Sequence, residues 1–208
     1  MGGRAGGGAG LGSGSRGGGG AAGATERGLN KAEVKALLKE EGAIRLNDYE
    51  TAIAVDEKGN VVFKKKGDKN SVSIPYNAPI KDAILTHNHP GSAYKDAKGR
   101  PLANQSFSDK DIITAVSMNA KGMRIISSGG TRFSMMRPKE GWGVKGSKIG
   151  AKVAGVKKSV YNSLSKYVQN YKGDKSVAAA RADQIYWHLV SKKLSKSLGY
   201  SYTKQKIK

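Results

Sequence analysis

A chain of 208 residues holds one good-sized domain plus appendages. With no cysteine it has no disulfide, no thiolate metal site and no cysteine nucleophile, and no run of about 18 apolar residues marks a membrane span. The net charge is +21, of which +13 falls in residues 144–208, so the chain favours an anionic partner, with nucleic acid ahead of an anionic membrane surface.

Thirteen of the 29 glycines lie in the first 23 residues. Residues 1–24 therefore read as a disordered Gly-rich tail, too poor in apolar surface to offset ordering entropy. They have no apolar core of the signal-peptide kind, so a cytoplasmic protein, or one packaged from the cytoplasm into a virion, is expected. Residues 31–41 place Val34, Leu37 and Leu38 at helical spacing. Asn30 and Glu33 match a capping box at the start of this helix, and Gly42 matches a C-cap.

The period then changes from helical to alternating. Residues 49–55 and 61–66 read as a β-hairpin across the turn at 56–60. Residues 71–74 alternate as a short third strand ended by Pro75. Residues 82–87 form the most apolar strand and are expected at the centre of the sheet. A polar, Gly- and Pro-containing stretch follows at 91–106, a length that in a compact domain points to function or mobility. Ser108 is placed to N-cap a helix running to about Asn119, with Asp111 at its third position. Residues 123–128 and 131–136 form a second hairpin across Gly129 and Gly130, and residues 138–143 end the domain, with Trp142 pinning that end to the core. From Val144 onward, apolar positions at Val160, Leu164, Val168 and Tyr171, then at Ala182, Ile185, Leu189, Leu194 and Leu198, mark two helices with lysines off their apolar stripes. The organisation predicted is a tail (1–24), an α/β domain of the α+β kind (25–143) and a basic helical extension (144–208) ending in a Lys-rich tail.

The chemistry gathers at residues 84–91, Ile-Leu-Thr-His-Asn-His-Pro-Gly. Alternation along a strand points His87 and His89 to the same face. The chain has only three histidines, so two in one tripeptide is half of a metal site rather than scatter. The third histidine, His188, reads as a packing or surface residue. Asp111 can supply a carboxylate as third ligand. Two imidazoles, one carboxylate and one open position suit catalytic zinc, whose bound water has a pKa of about 7. Hydrolysis also needs a base and an oxyanion donor; Ser108 is placed for the second task.

His87-x-His89-Pro90 followed by Ser108-x-x-Asp111, with an acidic residue upstream at the start of a strand, resembles the JAMM motif of JAB/MPN+ zinc metallopeptidases. Its wording is nearest to bacterial and phage versions of that domain, including RadC-like proteins. The resemblance covers roughly residues 43–140 and implies a JAB/MPN-like mixed β-sheet with flanking helices. It further implies Zn2+ on His87, His89 and Asp111, an oxyanion donor at Ser108, and a glutamate that activates water. Glu50, which begins a strand, is preferred for that role over Glu57 in the turn that follows. The interval between His89 and Ser108 exceeds the family's usual one, and residues 91–106 account for it as an insertion beside the cleft, a substrate flap or a plug.

These residues imply a zinc-dependent metallopeptidase or isopeptidase acting on a protein or peptide amide bond, in a phage or virion-associated setting by analogy. The alternative is a basic nucleic-acid-binding or virion structural protein whose JAB-like domain is a non-catalytic scaffold and whose residues 144–208 contact the polyanion. An HNH-type nuclease fits less well, because such enzymes spread those residues over a ββα unit rather than one tripeptide.

Overall fold

The computed structural model describes residues 28–90 and 106–207. Within them the chain runs α1 (Lys31–Ile44), β1 (Thr51–Val55), β2 (Val61–Lys66), β3 (Ile84–His89), α2 (Asp109–Ser117), β4 (Gly122–Ser127), β5 (Thr131–Met136), α3 (Gly146–Asn170), α4 (Lys175–Leu198) and β6 (Ser201–Lys206). The six strands form one mixed sheet in the order β2-β1-β3-β4-β5-β6. Every neighbouring pair is antiparallel except β3 and β4, which are parallel. Parallel neighbours need a crossover connection, and α2 supplies it. The sheet with its four helices is a mixed α/β architecture.

Alternation along the strands sorts the core into two layers. On one face, α1 lays Leu37 and Ile44 against Ile53, Val55, Ile84 and Ile126. On the other, α2, α3 and α4 cover Ala52, Leu85, Ile125 and Phe133 through Ile112, Ile149, Val153, Val190 and Leu194. Because helices cover both faces, the central strands β1, β4 and β5 are buried at every position, polar residues such as Arg124, Arg132 and Ser134 included. The edge strands β2 and β6 are largely exposed and carry the lysines that discourage edge pairing.

The capping box at Asn30 and Glu33 forms as expected. Gly42 does not end α1. The helix continues to Ile44 and is capped by Arg45, because Glu41 and Ile44 are both buried on the sheet and hold the last turn down. Residues 71–74 are not a strand. Both edges of β1 are already taken by β2 and β3, and Asp68 turns the chain by accepting from the backbone N–H groups of Asn70 and Ser71. Helix α2 stops at Ser117, short of Asn119, which adopts a left-handed φ of 50°.

The C-terminal residues also differ from expectation. Helix α3 starts at Gly146, well before Val160, and the Lys-rich end is strand β6 rather than a tail. Residues 144–208 do not stand apart as an extension: Val190, Leu194 and Leu198 enter the same core cluster as Leu85 and Ile125, and β6 completes the sheet beside β5. Trp142 does pin the end of the second hairpin, donating Nε1–H to the Ala120 carbonyl at 3.0 Å and meeting the Tyr200 ring edge-on. The expected tail at 1–24, and the insertion apart from Ser106, lie outside the described residues. Among the described residues no helix is long and apolar enough to cross a membrane.

Candidate metal centre

Strand β3 is flanked by β1 and β4, so its end is held on both sides. His87 pairs with Ala52 of β1 and Ile125 of β4, and its side chain enters the face covered by α2. His89 follows on the same face. Both rings turn their Nε2 atoms inward, 3.1 Å apart. Helix α2 delivers the third group: Asp111 Oδ1 lies 3.3 Å from His87 Nε2, and Asp111 Oδ2 lies 3.9 Å from His89 Nε2. Among the described residues these three form the one group of histidines and carboxylates close enough to hold a metal ion.

The capping box of α2 orients the aspartate. Asp111 Oδ2 accepts from the Ser108 backbone N–H at 2.7 Å and from the Ser108 hydroxyl at 2.8 Å, while the Asp111 N–H donates back to Ser108 Oγ at 3.2 Å. One local motif thus starts the helix and aims a ligand. It also commits the Ser108 hydroxyl proton to the carboxylate.

The separations can be tested against an ion's demands. Ligand atoms about 2.0–2.1 Å from a tetrahedral zinc lie about 3.3 Å from one another. The two ring nitrogens at 3.1 Å and the His87 contact to Asp111 Oδ1 at 3.3 Å match such edges, while His89 is nearer the other carboxylate oxygen, Oδ2, at 3.9 Å; one donor atom from each residue lies within 4.8 Å of the other two. Two nitrogens and one carboxylate oxygen, with the fourth position open, are the donor set of catalytic zinc. The residues present fit the group.

Glu50 sits immediately before β1 and is 8% exposed. Two residues before Ala52, on the same face, it lies at the histidine end of the strand; Glu57 lies beyond Val55, whose partner is Ile84 at the other end of β3. Glu57 is exposed, and its main-chain carbonyl accepts from Asn30. The structure therefore brings Glu50, and not Glu57, to the cluster.

Three local features hold Glu50 in place. Its N–H donates to the Asp68 carbonyl at 2.7 Å, and its carbonyl accepts from Gly67 at 2.8 Å. The Val72 N–H donates to its carboxyl, so the 67–74 segment folds over it instead of forming a strand. Gly67 is required there, since a Cβ would come within 2.1 Å of the Ser71 carbonyl oxygen. The third feature is Asn88, which sequence reasoning passed over. Fully buried on the face opposite the histidines, it accepts from the Thr51 N–H at 2.7 Å and donates to the Tyr49 carbonyl at 2.8 Å. Those bonds clamp the backbone on either side of Glu50. The alternation that aligned His87 with His89 also turned Asn88 toward a buried face, where an amide needs partners; that was the available signal.

Electrostatics follow from burial and proximity. Burial pushes the Glu50 carboxyl up to about 7, with the Asp111 and Asp68 carboxylates adding and His87 opposing. Burial alone would raise the Asp111 pKa, but the His87 and His89 rings and the Ser108 hydroxyl outweigh it and hold this carboxyl far below the usual range. Burial would likewise lower His87, yet Asp111 and Glu50 outweigh it and raise the imidazole above its ordinary value. A metal entering the site must displace that proton, so affinity rises with pH. His188 is elsewhere, its Nδ1 paired with the Tyr202 hydroxyl at 2.9 Å. Comparison with protein families, with curated proteins and with solved structures finds no match to this chain.

Proposed function

We propose that this protein is a zinc-dependent metallopeptidase of the JAMM type, with a JAB/MPN-like fold, which hydrolyses an amide or isopeptide bond in a protein or peptide substrate within the cytoplasm or a virion. The observation that carries the reading is the convergence of His87, His89 and Asp111, whose donor atoms lie within 4.8 Å of one another, beside a glutamate whose pKa burial has moved to about 7. A mixed sheet whose parallel step is crossed by the helix bearing Ser108 and Asp111 is compatible with that fold.

Zinc, held by His87, His89 and Asp111, would supply a Lewis acid and lower the pKa of a water at the open position. The chain's own groups do the rest. Glu50 takes the water proton and then passes that proton to the leaving amine. Ser108 turns its hydroxyl from Asp111 Oδ2 to the developing oxyanion. Asn88 and Val72 keep Glu50 at its station.

Elemental mass spectrometry of purified protein beside His87→Ala/His89→Ala tests the site. About one zinc per chain, lost in the double variant with circular dichroism unchanged, supports it. Hydrolysis of peptide and isopeptide substrates should then fall by about 10²–10⁴-fold in Glu50→Gln with zinc retained. Wild-type protein without zinc, even after zinc is supplied during expression, overturns the reading.

One observation favours a second reading, polyanion binding. Helix α3 carries Lys148, Lys152, Lys157, Lys158 and Lys166 with no acidic residue, and Tyr161 is 64% exposed along it. Lysines spaced along a helix with an exposed aromatic ring suit a nucleic-acid backbone. Binding that weakens steeply with salt and is lost on charge reversal at Lys148, Lys158 and Lys166 of α3 and at Lys192, Lys193 and Lys196 of α4, but survives His87→Ala, would favour it.

A further inference from the structure

A cavity of about 640 Å³ opens on the other face of the sheet, between the end of α1 and the β5–β6 edge. Small-molecule sites span roughly 300–1,000 Å³. The polar wall of this one is built around a carboxylate that is already saturated. Glu41 Oε1 accepts from the Thr86 hydroxyl at 3.1 Å and pairs with Arg124 Nε at 2.7 Å; Oε2 accepts from Arg124 Nη2 and from Arg132 Nε, each at 2.8 Å. Arg124, itself 1% exposed, is enough to neutralise it.

That leaves Arg132. Its side chain is 9% exposed and lines the cavity, yet only Nε–H has a hydrogen-bond partner among the described residues. A buried guanidinium with both terminal nitrogens uncommitted is a fork shaped for a carboxylate or phosphoryl group. Arg45 and Lys206 line the same space, so three cations face one spent carboxylate. Apart from Gln205, the rest of the wall is apolar or glycine. Leu38 and Leu46 are 49% and 74% exposed at its mouth, where neither packs in the core. Gly42 leaves the space open, since a Cβ added there would meet nothing within 4 Å.

We propose that this cavity binds a small amphipathic anion, its carboxylate or phosphoryl head on Arg132, Arg45 and Lys206 and its apolar body against Leu38 and Leu46. The site is separate from the histidine cluster, which lies across the sheet.

Isothermal titration of the full chain with octanoate and with octyl phosphate tests it, with inorganic phosphate as the head alone and octanol as the body alone. At least one of the two amphiphiles binds saturably at one per chain, about tenfold or more tighter than either control; which one distinguishes a carboxylate ligand from a phosphorylated one. Gly42→Leu replaces glycine inside a helix with a better helix former and fills the space, so it abolishes binding with the fold intact. Arg132→Lys keeps the charge but loses the fork and weakens binding by about tenfold. Lys206→Ala, at an exposed position, weakens it by about threefold and serves if Gly42→Leu misfolds. His87→Ala leaves binding unchanged, which separates this site from the metal reading. Absence of saturable binding by both amphiphiles, or equal binding by phosphate alone, or binding that survives Gly42→Leu and Lys206→Ala, overturns the proposal.

Discussion

Thr86 and His87 are consecutive in β3, and their side chains enter two buried polar clusters on opposite faces of one sheet. Each cluster centres on a helix-borne carboxylate, Glu41 of α1 for Thr86 and Asp111 of α2 for His87. The partners differ in kind. Glu41 meets the guanidinium groups of Arg124 and Arg132, which stay protonated and have no lone pair to offer. Asp111 meets two imidazoles, whose neutral nitrogens carry lone pairs aimed at one point. Similar burial therefore yields a fixed ion network on one side and a metal-ready, titratable site on the other. The choice between Arg and His, not the presence of buried charge, decides which cluster offers lone pairs to a cation.

The comparison breaks most visibly at Glu41. Glu41→Ala leaves Arg124 and Arg132 buried without their anion, and should lower the unfolding free energy by about 3–5 kcal/mol in urea titrations. A change below about 1 kcal/mol would mean that the network is solvated and not a core element. Across the sheet, zinc at a free concentration of about 100 times its Kd should raise the unfolding free energy by about 2.7 kcal/mol. A chelator should reverse the gain, His87→Ala should abolish it, and Glu41→Gln should leave the increment in place.

A smaller effect sharpens the titratable side. In the metal-free protein Glu50 is raised from its ordinary 4.5 to about 7, so the folded state binds that proton more tightly than the unfolded chain. This contribution is fully present below about pH 4.5 and is lost as pH climbs to about 7. His87, raised above 6.5, acts in the same direction at somewhat higher pH. Asp111, depressed below 3.8, acts oppositely: its contribution is present above that pH and disappears on acidification. Metal-free stability should accordingly fall, on the order of 2 kcal/mol, between pH 4.5 and pH 8. Glu50→Gln should flatten the lower part of that slope; an unchanged slope would place the proton elsewhere. The smallest effect concerns the half-exposed pair of Lys157 with Asp109, which ties α3 to the first turn of α2. Lys157→Met should lower stability by less than about 1 kcal/mol, and high salt should remove the difference.

What the sequence by itself determined is local. Asn30 with Glu33 and Ser108 with Asp111 are capping boxes because each involves residues three apart, whose geometry the helix dictates. His87 and His89 share a face because a strand alternates, and Glu50 outranked Glu57 because only one of them opens a strand. These were enough to put the two histidines on one face and Asp111 in the first turn of a helix before any contact was known.

What only the tertiary structure decided is pairing across the chain. Whether 71–74 becomes a strand depended on the Asp68 turn and the Val72 bond to the buried Glu50 carboxyl drawing that segment over the start of β1. The polar residues 201–206 become a strand only because β5 offers them its open edge. Asn88 gains its role by meeting Tyr49 and Thr51, and Glu41 meets Arg124 and Arg132 from more than 80 positions away. Local propensity carries no term for such meetings. They are fixed when two faces of one sheet must each be buried, and every polar group caught in between must find a partner.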